Sequence, residues 1–232
     1  MDQVFKAELQ TLQAWLQTAA GKALLTRESQ ALDRLLPGLF GYHLLQQSVM
    51  PDVCLYRESP IRHCMELHAS LQDSAVHPRI VLGRPEALPF AENSLDVLLL
   101  HHSLDMSLHP HLSLREAVRV LIPGGHLVIV TFNPYGRYGW RKWPGIARGR
   151  LSDWLVLLGC RVEHYEGHFV RRWQQPWLRH FQQGLAGWLG SFQIVVATKE
   201  VRRITPIRPR WHQRPLVAVP LAKPSMRNRQ GD

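Results

Sequence analysis

Between Asp96 and Phe132 the chain runs through an apolar stretch, a helix pattern and a second apolar stretch, and this order restricts the fold more than any other feature. Asp96 to Leu100 is apolar without alternation, which suits a strand covered on both faces. Leu114, Ala117, Val118 and Leu121 then recur at the i, i+3, i+4, i+7 spacing of a helix with one buried stripe. His109-Pro110 lies at the start of that helix and Pro123-Gly124-Gly125 at its end. Leu127 to Phe132 is a second strand, rich in β-branched residues. Strand, crossover helix and strand in that order imply parallel pairing, with the helix packed on one face of the sheet.

The flanks extend the pattern. Tyr42 to Gln46, Cys64 to Ala69 and Arg79 to Leu82 read as three earlier strands, the last followed by a loop from Gly83 to Asn93. Leu151 to Leu158 reads as a helix ended by Gly159, and Cys160 to Tyr165 and Phe192 to Ala197 as two closing strands. Residues 2 to 36 are helical by the recurrence of Leu9, Leu12, Leu16 and Ala19 and of Leu32, Leu35 and Leu36, with Gly21 expected to separate two helices. The expected fold is α/β: a doubly wound, seven-stranded, mostly parallel sheet of the Rossmann type with N-terminal helices. No internal repeat is visible.

The chain has 232 residues, enough for one full-sized domain with an appendage. Its formal net charge of +10 favours polyanionic partners. Most of that charge lies beyond residue 200, where Arg202, Arg203, Arg208, Arg210, Arg214, Lys223, Arg227 and Arg229 face a single acid, Asp232. Pro206, Pro209, Pro215, Pro220 and Pro224 oppose regular structure there. The expected organisation is a helical segment at 1–40 packed on the domain, an α/β domain at 41–200, and a flexible, basic, Pro-rich arm at 201–232. Nucleic acid is the partner expected for that arm. Cys54, Cys64 and Cys160 form no close pair, which predicts a reducing compartment. The start lacks the pattern of a signal peptide, and no apolar stretch approaches the roughly 20 residues of a membrane span. A cytoplasmic location follows as the expectation. No Cys/His cluster has the spacing of a zinc site, so no metal is predicted.

Two motif blocks carry a family resemblance. Glu86-Ala87-Leu88-Pro89-Phe90 followed by Asn93-Ser94-Leu95-Asp96-Val97 resembles the loop and fourth strand of class I S-adenosylmethionine-dependent methyltransferases of the UbiE/type 11 group. Arg115-Glu116-Ala117-Val118-Arg119-Val120-Leu121-Ile122-Pro123-Gly124-Gly125 resembles the helix and turn before that family's fifth strand. The blocks stand in the family's order and cover residues 80 to 132. The resemblance implies S-adenosylmethionine as cofactor and methyl transfer as the reaction. The chain departs from the family after the first strand, where a glycine-rich loop is replaced by Gln46-Gln47-Ser48-Val49-Met50-Pro51. Gly41 to Gln46 and Phe132-Asn133-Pro134 resemble a bacterial branch that also lacks a full glycine-rich loop.

The resemblance places the candidate cofactor residues. They are Gln46 and Ser48 where glycines belong, Glu66 as the counterpart of a ribose-binding acid, and Arg84 where the family has an acid near the adenine. Arg84 would disfavour the net-positive cofactor unless its head turns away or pairs with Glu86, and Leu88 is expected to seal the sheet beneath the adenine. His101 and His102 follow the apolar strand, at the end of the sheet where ligands bind in open α/β folds. A neutral imidazole there could take a proton from an acceptor N–H or O–H, or the pair could merely cap the strand. Asn133 and Tyr135 lie at the same end and could orient a substrate or form an Asn-Pro turn. Arg137, Arg141, Lys142, Arg148 and Arg150, interleaved with Tyr138, Trp140 and Trp143, suit nucleic acid or an ordinary amphipathic loop. Two functions compete: an S-adenosylmethionine-dependent methyltransferase with an unidentified acceptor, and a catalytically inactive relative that binds RNA or a protein partner.

Overall fold

The computed structural model describes residues 2–50, 53–69, 79–136, 143, 145–168 and 190–200. Two helices open the chain, α1 at Asp2–Leu16 and α2 at Ala19–Leu35. They part at Gln17 and Thr18, not at Gly21. Thr18 is extended, and its hydroxyl caps α2 by accepting from the Gly21 N–H. Gly21 serves close approach instead, since a Cβ there would run into the backbone of Trp15 and Leu16.

Five parallel strands follow: β1 at His43–Ser48, β2 at His63–His68, β3 at Ile80–Leu82, β4 at Leu95–His101 and, after helix α3 at Pro110–Val120, β5 at Leu121–Phe132. Helix α4 at Arg148–Leu157 leads to β6 at Cys160–His168 and β7 at Phe192–Lys199. β7 pairs antiparallel with both β5 and β6, and the sheet order is β3-β2-β1-β4-β5-β7-β6. The expected seven-stranded, mostly parallel sheet is therefore present. Pro123-Gly124-Gly125 acts differently from the sharp helix-to-strand turn expected. The ladder steps from Leu95–Leu121 to Val97–His126, so residues 122–125 bulge from the start of β5, with Gly124 at φ +84°.

β4 shows why its apolar run lacks alternation. Val97 and Leu99 pack on one face with Leu44, Val128, Val130 and Ile194, beneath α1 and α2. Leu98 and Leu100 pack on the other with Leu45, Leu127 and Ile129, beneath α3 and α4. Leu12, Leu16, Leu24 and Leu32 are fully buried. At about 2 kcal/mol for each buried leucine, the N-terminal helices are a full layer of the fold. Between β1 and β2 the described residues form no helix. Val49, Met50, Leu55, Tyr56 and Ile61 pack into the core beneath α1 and α2, so an irregular segment covers this part of the sheet.

Residues of both motif blocks have structural work. The Asp96 carboxylate accepts from the Tyr42 and His43 N–H groups at 3.0 and 2.9 Å, and Gly41 leaves room for it. Glu116 accepts the Leu88 N–H at 2.9 Å, while Arg119 donates to the carbonyls of Leu88 and Phe90 and pairs with Glu116. The two motif blocks are thus bound to each other.

Candidate functional site

In an open α/β sheet the ligand crevice lies at the carboxyl ends of the strands, where the strand order reverses. Here the reversal falls between β1 and β4. The segment after β1 turns inward on itself. The Gln46 side chain accepts the Leu55 N–H at 2.9 Å and donates to the Val53 carbonyl at 2.7 Å. Ser48 Oγ accepts the Met50 N–H at 3.0 Å, Val49 N–H reaches the His101 carbonyl, and Val53 N–H reaches the Met50 carbonyl. Among the described residues of this segment, the N–H groups of Val49, Met50, Val53 and Leu55 are thus engaged within the protein.

His101 ends β4 and His102 follows it, but not at an open mouth. Both are completely buried, because α2 lays Glu28 across them. Glu28 lies in the stripe Leu24-Glu28-Leu32, and its two oxygens receive the two imidazoles: His102 Nε2 at 2.8 Å and His101 Nε2 at 3.1 Å. Consecutive strand residues normally face opposite sides. His102 has φ +52°, a left-handed backbone, and this turns its ring onto the same side as that of His101. The ring then stacks on Phe132 at 4.0 Å between centroids. Behind the pair, His102 Nδ1 meets Asp105 Oδ2 at 2.8 Å and His101 Nδ1 meets Ser48 Oγ at 2.8 Å. Asp105 Oδ2 also accepts the Phe132 N–H.

The electrostatics follow from this arrangement. Burial pushes the Glu28 carboxyl up, but the two histidines outweigh it and leave the group at about 2. Burial pushes His102 down, yet Glu28 and Asp105 raise it to about 9, so it carries both protons at neutral pH. Burial holds His101 below the usual histidine value and Asp105 above the usual carboxylate value.

The other expected residues are dispersed. Glu66 accepts from the Tyr56 hydroxyl at 2.7 Å, and burial together with this hydrogen bond raises the phenol's pKa. Arg84 is exposed and makes no ion pair with Glu86 among the described residues; Glu86 receives the hydroxyls of Ser107 and Ser113 instead. Leu88 is buried in the core beneath α3 and α4. Asn133 Oδ1 accepts the Tyr135 N–H, forming a turn that leaves the Tyr135 ring exposed. Of the basic-aromatic stretch, Trp143 is buried and Arg148 stacks over Tyr165, while residues 137–142 lie outside the described residues. So does the whole arm at 201–232.

Four residues at the site escaped the sequence reading: Glu28, Gln47, Ser103 and Asp105. Glu28 had a signal, a lone carboxylate in an apolar helix stripe. Gln47 Nε2, at the end of β1, and Ser103 Oγ, just past β4, are buried without a hydrogen-bond partner among the described residues. Buried polar atoms are rarely left so.

A methyltransferase domain family matches residues 61–129. The chain is 34% identical over 182 residues to a protein of Escherichia coli K12 described as uncharacterized protein YafS, covering 72% of each. It is 31% identical over 120 residues to a demethylmenaquinone methyltransferase of Renibacterium salmoninarum, covering 48% of this chain and 46% of that one. Among solved structures, an S-adenosylmethionine-dependent methyltransferase of Thermotoga maritima superposes with a TM-score of 0.56 at 15% identity, covering 86% of this chain and all of that one. That likeness concerns the fold. No helix among the described residues is long and apolar enough to cross a membrane.

Proposed function

This chain belongs to the class I S-adenosylmethionine-dependent methyltransferase family, and from that membership we propose that it transfers a methyl group to an acceptor bound at the carboxyl ends of β1 and β4. S-adenosylmethionine is the cofactor of the family, and when bound it supplies a methyl group activated on a sulfonium. The observation that carries the reading is the reversal of strand order between β1 and β4, with Gln47 Nε2 and Ser103 Oγ buried beside it as unused polar groups. These two side chains fit a ligand there, and we assign them to hold the cofactor in place of backbone donors on a glycine-rich loop. Methyl transfer asks the protein chiefly for alignment and exclusion of water, so a site built of a few polar groups on an apolar frame suffices.

Calorimetric titration with S-adenosylmethionine and S-adenosylhomocysteine tests this. The expected result is binding in the micromolar range, weakened in Gln47→Ala and Ser103→Ala. One observation favours the second reading, an inactive relative that binds RNA or a protein: the N–H groups of Val49, Met50, Val53 and Leu55 are all engaged internally. That reading requires that folded protein give no heat at millimolar cofactor, and this outcome would overturn the first.

A further inference from the structure

We propose that Glu28, His101 and His102 form a buried site for one divalent transition-metal ion of the zinc class, with Asp105 and Ser48 holding the two imidazoles from behind. The site stands independently of the methyl-transfer reading. Its ligating atoms already converge: one from each of the three side chains, all within 4.8 Å of one another. Glu28 oxygens lie 3.1 and 2.8 Å from the two Nε2 atoms. Two ligands each about 2.0–2.1 Å from a tetrahedral zinc are roughly 3.3 Å apart, so small shifts admit the ion.

The arrangement behind the ligands points the same way. A histidine that ligates a metal through one nitrogen is oriented by a hydrogen bond from the other, most often to a carboxylate. His102 has Asp105 at 2.8 Å behind it, and His101 has the Ser48 hydroxyl at 2.8 Å. The left-handed backbone at His102 is a cost that the strand does not require, and its effect is to bring two consecutive rings to one carboxylate. Two imidazoles and a carboxylate suit zinc or ferrous iron, where calcium and magnesium take oxygen ligands. The second Glu28 oxygen supplies a fourth donor at a narrower angle than a regular tetrahedron's, and with no exposed surface the site is closed, as structural sites are. Its role is to fasten α2 to the carboxyl ends of β1 and β4.

The test uses the full chain, unfolded with a chelator and refolded with cobalt(II) or zinc(II), followed by elemental analysis and visible spectroscopy. One cobalt ion per chain with ligand-field absorption of a distorted four-coordinate centre is expected, lost in Glu28→Gln and His101→Asn. Ser48→Ala keeps all three ligands and should weaken zinc affinity by about ten- to a hundredfold. Should the ligand variants fail to fold by circular dichroism, X-ray absorption on the zinc-loaded wild type decides, and must show two imidazoles and no sulfur. Folded wild type without stoichiometric metal, or metal retained equally in folded Glu28→Gln, overturns the proposal and leaves a network held by protons alone.

Discussion

Glu116 does more than mark a family motif. It binds Arg119 through both carboxylate oxygens, at 2.7 and 2.8 Å, and fixes the Leu88 N–H at 2.9 Å. The hydrogen bond from Arg119 is the main cause that lowers its pKa from 4.5, with Leu88 N–H adding to it. A carboxylate with a depressed folded pKa contributes stability that is fully present above its unfolded value and is lost as pH falls through the folded one. Glu116→Gln should therefore destabilise the protein at pH 7 by about 1 kcal/mol, discounted because Arg119 is partly exposed. The gap between variant and wild type should shrink progressively as pH falls below 4.5. Urea midpoints measured at neutral and acid pH would show this, and a gap independent of pH would assign the effect to packing. Arg119 completes the same unit by holding the Leu88 and Phe90 carbonyls, so the residues that signal the family in sequence are those that tie the β3–β4 loop to α3.

The helices α1 and α2 behave as an element pair whose junction sets how α2 meets the sheet. Ordinary propensity favours Gly21→Ala by about 1 kcal/mol within a helix. Here the added methyl would meet the backbone of Trp15 and Leu16, so the substitution should lower the melting temperature instead, by a net cost of about 1–3 kcal/mol. A rise in melting temperature would show that the helices part easily. The same pair shows where legibility ended. The strands and helices of residues 96–132 were readable because apolar runs, helical spacing and Pro-Gly punctuation are local signals. The break between α1 and α2 was misplaced because Gly21 has a tertiary role that mimics a local one, whereas Thr18 is an inconspicuous cap. The partner of His101 and His102 was invisible for a different reason: Glu28 lies more than seventy positions away in sequence. The turn that brings both rings together is a backbone angle at a non-glycine residue, which no residue pattern announces. The family's missing glycine-rich loop was plain to read, but not the bridge from Gln46 to Val53 and Leu55 that takes its place.

At the scale of the molecule, charge is distributed unevenly along the sequence. Residues 201–232 hold eight Lys and Arg against one acid, or +7 of the formal +10, which leaves +3 for the remaining 200 residues. Polyanion binding by the whole chain should therefore reside mainly beyond residue 200. Each phosphate neutralised by a lysine or arginine releases a counterion, so binding to duplex must weaken steeply with salt. If about five of those side chains engage, log K against log salt should slope at roughly −4 to −5 in the full chain. Removing residues 201–232 should abolish most of that slope while leaving S-adenosylmethionine binding intact, because the residues assigned to the cofactor lie in β1 and just past β4. Fluorescence anisotropy with a labelled duplex at several salt concentrations measures both the slope and its loss. Truncation without effect would relocate the nucleic-acid surface to the basic and aromatic stretch between Arg137 and Arg150. Absence of measurable affinity at physiological salt in the full chain would reduce the positive extension to an aid to solubility.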